Sequence, residues 1–359
     1  MEEIEVMTLI GAIRKRPAMY TGSTSIRGFN NLLQDLIQDI FEATEANYFS
    51  FELLGNVKGK ITFKNLQQTI SANVALKNFP RKHNPFFSAY ELAALNALSN
   101  YFELKVFDKD NNELFHQIFE KGEIKQGEIT DQKYEADSYE ITFDLDDSIF
   151  EISEPLNANF YLDQLRNLAY LHKEKTLEII YAVDDKKSNA VFKFQNGLKD
   201  KIDVERLKGY CGTYFDTYVE KAFEKFTFEA AFCFRETSVD ESYLISYANY
   251  VHTHKHGTHV SAFLKGILQA TEQYVLNKQL KDVKITSSKA ILETLVAAIH
   301  IKMDKPHFEG SVKNKLNSPE IVSPIAEYIS EIMLQKMENN QKLAENLISY
   351  FRRFEYQSY

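Results

Sequence analysis

Two glutamines are the first residues whose type and spacing bear on chemistry. In "NLLQDLIQDIFEA" (31–43), Gln34 and Gln38 stand one turn apart on an amphipathic helix, so both amides project from one face. An amide carbonyl can orient a water or ligate a cation, but it takes up no proton, so the pair contains no general base. The stretch "HTHKHGTH" (252–259) holds four histidines. On an extended strand His252, His254 and His256 would share a face within reach of one ion. No Cys, Asp or Glu accompanies them, so no metal site is expected, and Thr258 reads as the N-cap of the following helix. The acidic pairs in "DLDD" (144–147) and "VDES" (239–242) sit at strand ends, where solvated turn carboxylates are expected.

The elements that must position these residues follow from periodicity. Residues 28–47 and 86–100 repeat apolar side chains at helical spacing. Alternating runs at 47–54, 60–65, 102–108, 114–122 and 139–145 read as half-buried strands, with "FDKDNNELF" as a tight reversal. These place 1–153 in an α+β domain with helices on one face of a largely antiparallel sheet. A second domain, 154–359, opens with a helix at 161–173. It continues through a hairpin around "DDKKSN", strands at 226–236 and 242–251, a helix at 259–276, a strand at 295–303 and long C-terminal helices.

The chain has 359 residues, 26% of them charged, and a net charge of -9. Such a surface repels DNA unless basic side chains gather on one face, as "IRKRP" (13–17), "FPRKH" (79–83) and "YFRRF" (350–354) would have to do. The 27 Phe and 20 Tyr form no spaced stacking platform and read as core. No apolar run reaches the roughly 20 residues that span a bilayer, and the acidic start has no signal-peptide pattern. With only Cys211 and Cys233, a reducing cytoplasm is the expected location.

Six segments in order resemble the ATPase and transducer half of bacterial type II topoisomerase subunits, gyrase B and its topoisomerase IV counterpart. They are "IRKRPAMYTGSTSIRGFNNLL", "LNALSNYFELKVF", "FDLDDSIF", "FKFQNGL" (192–198, similar to an early transducer hairpin), "HGTHVSAFLKGI" and "ILETLVAAIHIKMDKPHFEGSVKNKLNSPEI". The resemblance covers about 330 residues. It implies a GHKL (Bergerat) α/β sandwich followed by a transducer of the ribosomal-protein-S5-like fold. It also implies where ATP chemistry belongs. The family's catalytic Glu and magnesium-ligating Asn fall on Gln34 and Gln38. Its adenine-reading Asp-x-Gly-x-Gly falls on Asn65, Gln67 and Thr69. Its phosphate-cradling glycines become "PFFSAYELAA", with Phe86, Phe87 and Tyr90. Its sensing lysine corresponds to Lys313, preceded by Ser311 and Val312.

These departures make a pseudo-ATPase the expectation: catalytic residues none, cofactors none, partners a topoisomerase subunit or DNA. In that reading Gln34 and Gln38 bond each other or Asn65 and hold the emptied pocket together. The sequence ends without a Glu-Gly-Asp-Ser or Asp-x-Asp metal site, and its N-terminal arm is short. A stand-alone homologue with a weakened homodimer is therefore expected. Two alternatives stay open. One is a divergent ATPase that holds ATP and magnesium through Gln38, Asn65 and Lys313. The other is a nucleotide or small-molecule sensor without turnover.

Overall fold

The computed structural model describes residues 8–76, 79–80, 88–151, 156–183, 186–208, 213–235, 243–280, 288–310 and 313–356. The chain divides into two compact units, Met1–Gln195 and Asn196–Tyr359. The first contains α1 (Leu9–Lys15), α2 (Pro17–Thr21), α3 (Ile26–Ala43), β1 (Tyr48–Leu53), β2 (Lys58–Ser71), β3 (Phe79–Pro80), β4 (Ser88–Ala89) and α4 (Glu91–Ala97). It goes on through β5 (Ser99–Phe107), β6 (Glu113–Glu120), β7 (Glu123–Gln126), β8 (Lys133–Leu145), α5 (Ala158–Leu171), β9 (Thr176–Val183) and β10 (Lys186–Phe192). The second contains α6 (Leu198–Lys208), β11 (Thr213–Ala222), β12 (Phe226–Arg235), β13 (Tyr243–Ala248), β14 (Val251–His252), α7 (Thr258–Asn277), α8 (Ser288–Leu292) and β15 (Leu295–Met303). A 3-10 turn (Pro319–Ile321), α9 (Val322–Asn339) and α10 (Gln341–Tyr356) close it.

In the first unit eight strands form one sheet in the order β10-β9-β1-β2-β8-β5-β6-β7. Strict alternation places Phe49, Phe51, Ile61, Phe63, Leu104, Tyr139, Ile141 and Phe143 on one buried face. Helix α3 covers that face with Phe29, Leu33, Leu36, Ile37 and Ile40. Phe29 meets Phe51 and Phe143, and Phe41 meets Phe63 edge-on. Helix α5 joins the same layer: Tyr161 lies edge-on to Phe51 and donates its hydroxyl to Asn30 at 2.7 Å. The result is a two-layer α/β sandwich.

Three boundaries differ from expectation. The domain break drawn at 153/154 lies instead at 195/196, because β9 pairs in parallel with β1 (Tyr48↔Thr176 to Glu52↔Ile180) and β10 pairs with β9. The hairpin assigned to the transducer thus extends the first sheet, and burial of Leu177 and Ile179 on the common core holds it there. The helix expected at 86–100 spans only Glu91–Ala97, since from Ser99 the chain is taken into pairing with β8 and β6. The helix expected at 28–47 ends at Ala43, where Thr44 turns extended and bonds its hydroxyl to Ile40 O.

In the second unit β11-β12-β15-β13-β14 form one sheet. One face carries Val219, Phe228, Ala230, Phe232, Phe234, Leu295, Ala297, Ile299 and Ile301 against α7, α9 and α10. Helices α7 and α9 approach so closely that a Cβ on Gly266 would stand 2.6 Å from Ala326 O. Helix α6 packs on β12 and β15, and Cys233 of β12 is fully buried. Burial first, then Asp216, pushes the Cys233 thiol up to about 12, which leaves it inert at neutral pH. Cys211 lies outside the described residues. Among the described residues no helix is long and apolar enough to cross a membrane.

Candidate functional site

The chemistry-bearing residues of the first unit surround α3. At 100° per residue its buried stripe centres near Phe29, Leu36 and Ile40, and Gln34 and Gln38 lie about 140° and 180° round the helix from that centre, both half-buried. The following residues, Asp35 and Asp39, repeat the one-turn spacing farther round the helix. Asp39 is 2% exposed. The two amides stand out in the sequence; these carboxylates do not. A buried acid in an amphipathic helix looks like a surface residue until its neighbours are known.

Behind the helix, β2 bulges between Lys64 and Gln68. Asn65 (φ 62°) and Gln67 (φ 47°) adopt left-handed backbone there without the help of glycine. The turn after α3 holds the bulge: Glu45 N donates to Leu66 O at 3.0 Å, and Asn47 N to Lys64 O at 3.3 Å. The exposed Asn65 amide donates to Asn47 Oδ1 at 2.5 Å, so it serves the turn. The chain does not leave the sheet at this point. Strand β2 pairs onward with β8 from Gln68↔Ala136 to Ser71↔Lys133.

Beside the bulge, Tyr139 of β8 stands opposite Phe63 and is fully buried. Its hydroxyl lies 3.5 Å from Gln68 Oε1, and burial pushes its ionisation well up, so it stays a neutral donor. Leu66, the middle of the bulge, is fully buried as well. Phe86 and Phe87 lie outside the described residues. Tyr90 is the N-cap residue of α4 and meets Tyr20 edge-on at 5.2 Å. Every residue of α4 is buried, and Glu91 occupies its first turn, where a helix favours negative charge.

The opening signature also has a structural partner that composition did not reveal. Arg14 donates Nη2 to Asp146 Oδ2 at 2.7 Å and Nη1 to Ala97 O at 2.5 Å. Asp146 is fully buried, not the solvated turn acid expected of "DLDD". Burial alone would raise its carboxyl; the Ser148 hydroxyl and amide together with Arg14 outweigh that and hold it below the usual range. "VDES" and "FPRKH" fall wholly or mostly outside the described residues.

In the second unit Lys313 is exposed, at φ 55°, on a hairpin-like loop closed by a bridge between Phe308 and Leu316. The histidine-rich turn docks on this loop. Its histidines do not share a strand face, because β14 ends at His252 and the chain turns. The His252 and His254 rings meet at a tilt of 49° with centroids 3.8 Å apart, while His256 Nδ1 lies 2.9 Å from Ser246 Oγ. Among the described residues no three His, Cys, Asp or Glu are placed to hold a metal. The N-cap of α7 is Gly257; Thr258 is the first helical residue, and its hydroxyl accepts from Ser318 N at 3.1 Å.

An α/β sandwich followed by a second α/β unit of this topology is the architecture of a GHKL ATPase domain with its transducer. The 43K ATPase domain of Thermus thermophilus gyrase B, crystallised with an aminocoumarin, superposes with a TM-score of 0.75 over 98% of this chain and 95% of that one, at 21% identity. The gyrase B protein of Myxococcus xanthus gives 0.76 over 95% and 99%, at 17% identity. The DNA gyrase B family profile matches residues 178–357, half of the sequence, and the chain belongs to that family. Among curated relatives, the DNA gyrase B protein of Archaeoglobus fulgidus is 25% identical over 98% of this chain. The corresponding DNA topoisomerase 4 protein of Rickettsia bellii is 27% identical, again over 98%. The chain spans 58% and 57% of their respective lengths.

Proposed function

We propose that this gyrase B-like ATPase domain has lost ATP hydrolysis and acts by binding, its target a topoisomerase subunit or DNA in the cytoplasm. The reading rests on the packed ground around α3. Gln34 and Gln38 are not proton acceptors, and they stand at the positions that the resemblance assigns to activating the attacking water and holding magnesium. Strand β2 runs on where the resemblance puts the adenine motif, with Leu66 and Tyr139 buried beside the bulge. Glu91 brings a carboxylate to the helix start that the resemblance assigns to phosphate.

Calorimetric titration with ATP and a non-hydrolysable analogue, with and without magnesium, tests this. No saturable heat at concentrations that detect submillimolar binding is expected. Magnesium-dependent saturation would overturn it and favour the second reading, a slow ATPase using Gln38, Asn65 and Lys313. That reading draws on the retained Lys313 loop and on relatives that are ATPase domains. Binding without turnover would make the chain a sensor. Gln34→Glu separates these cases: ATPase activity appears only if the pocket is intact and lacks its base alone. For DNA, a gel shift over a salt series should lose affinity steeply, and a salt-insensitive result would exclude a phosphate-backbone contact.

A further inference from the structure

The histidine turn and the Lys313 loop are fastened together by backbone. Lys255 N donates to Asn314 O at 2.9 Å, Leu316 N to His256 O at 3.0 Å, and Thr258 N to Leu316 O at 3.0 Å. There is no slack at this seam. Gly257, at φ 134°, lies so close that a Cβ there would stand 2.1 Å from Leu316 O. The turn cannot shift without breaking these bonds.

The side chains under the turn share a small number of protons. The Thr253 hydroxyl donates to Ser246 O at 2.9 Å, so its oxygen is left as an acceptor. Ser246 Oγ approaches that oxygen at 2.7 Å and His256 Nδ1 at 2.9 Å. His259, fully buried, sets Nε2 3.3 Å from Thr253 Oγ1 and therefore carries its proton there. Its other nitrogen, Nδ1, is buried with no hydrogen-bond partner. As a bare lone pair this is tolerable. As an N–H of an imidazolium it would be a buried donor of a charged group with nothing to accept it.

We propose that the His259 turn is an acid-released latch on the loop that carries Lys313. Protonation of His259 Nδ1 has no place in the closed turn, so the proton is taken up as the turn opens, and opening frees residues 314–318. The titratable groups facing the ring all oppose its charge. They are His256 from the turn and His300 from β15, the latter occupied with Glu229 at 3.5 Å and with Asn249 O. His256 in turn faces His254, and His252 faces Lys201 of α6. Among the described residues no carboxylate bonds either nitrogen of His259. Burial first, then His256 and His300, push its ionisation down to about 3. The latch works in the same way whether Lys313 meets a nucleotide or another anion.

Amide hydrogen exchange on the full chain tests the latch, read at Leu316 and Thr258 and corrected for intrinsic rate. Below about pH 6.5 the opening constant should rise roughly tenfold per pH unit, which is about thirtyfold by pH 5.0. His259→Gln keeps a donor for Thr253 but has no site to protonate, so the rise carried by His259 should be gone and only the smaller contribution of His252 and His256 should remain. Unchanged protection in the native chain, or the same rise in His259→Gln, overturns the proposal. Should the variant fail to fold, the comparison is with β12 amides of the native chain. Acid loss at the turn and loop through an opening smaller in free energy than that of β12 supports the latch, and one opening free energy shared by the turn and β12 at every pH overturns it.

Discussion

Arg14 and Asp146 show how one pair decides the fate of a signature. The guanidinium reaches both the end of α4 and the exit of β8, and the carboxylate it meets is fully buried. Removing either partner leaves an uncompensated group. Asp146→Ala removes the carboxylate that Arg14 grips, and Arg14→Ala strands the charge of Asp146. Arg14→Ala should cost about 3–5 kcal/mol in urea unfolding of the first unit, and Arg14→Lys, unable to span both acceptors, nearly as much. Tyr139→Phe is the contrasting case. Its hydroxyl contact is at the 3.5 Å limit, so the loss should be at most about 1 kcal/mol, whereas Tyr139→Ala should cost about 3–5 kcal/mol by opening a cavity. Thermal melts of the two variants distinguish a packing residue from a hydrogen-bonding one.

Elements are set by close approach. The contact of α7 with α9 depends on Gly266 having no side chain, because Ala326 O and Ile329 Cβ already occupy that space. Gly266→Ala should destabilise the second unit by about 1–3 kcal/mol, and Gly266→Val by more, as read by chemical denaturation. The β2 bulge responds in the opposite direction. Gln67 holds φ 47° with an exposed side chain, so Gln67→Gly should be neutral to stabilising by up to about 1 kcal/mol. A marked loss on that substitution would mean that the Gln67 side chain holds the bulge.

At the scale of the molecule the two units should fail at different pH. His252 and His259 are pushed down by burial first, to about 4 and about 3, and His256 is lowered too. A histidine whose folded value lies below its unfolded one binds fewer protons folded than unfolded. The second unit therefore holds this stability above about pH 6.5 and loses it progressively as pH falls toward 4. Asp146 acts in the first unit with a lowered carboxyl, so its contribution is present above about pH 4 and is lost only below that. Denaturation at pH 7.5, 6.0 and 5.0, followed by exchange in each unit, should show the C-terminal unit weakening first.

Periodicity alone determined much of this protein. The alternation at 47–54, 60–65 and 139–145, and the apolar stripe of 28–43, carry the two-layer sandwich, because side-chain spacing is a local property of a strand or helix. What only the tertiary structure decided concerns partners distant in sequence. These include the addition of β9 and β10 to the first sheet, the Arg14–Asp146 pair 132 residues apart, the burial of Tyr139 beside the β2 bulge, and the seam between the histidine turn and the Lys313 loop. Each depends on burial and on which group meets which across the fold. A linear pattern records what a residue offers; whether water or another side chain takes up the offer is settled only when the chain has closed on itself.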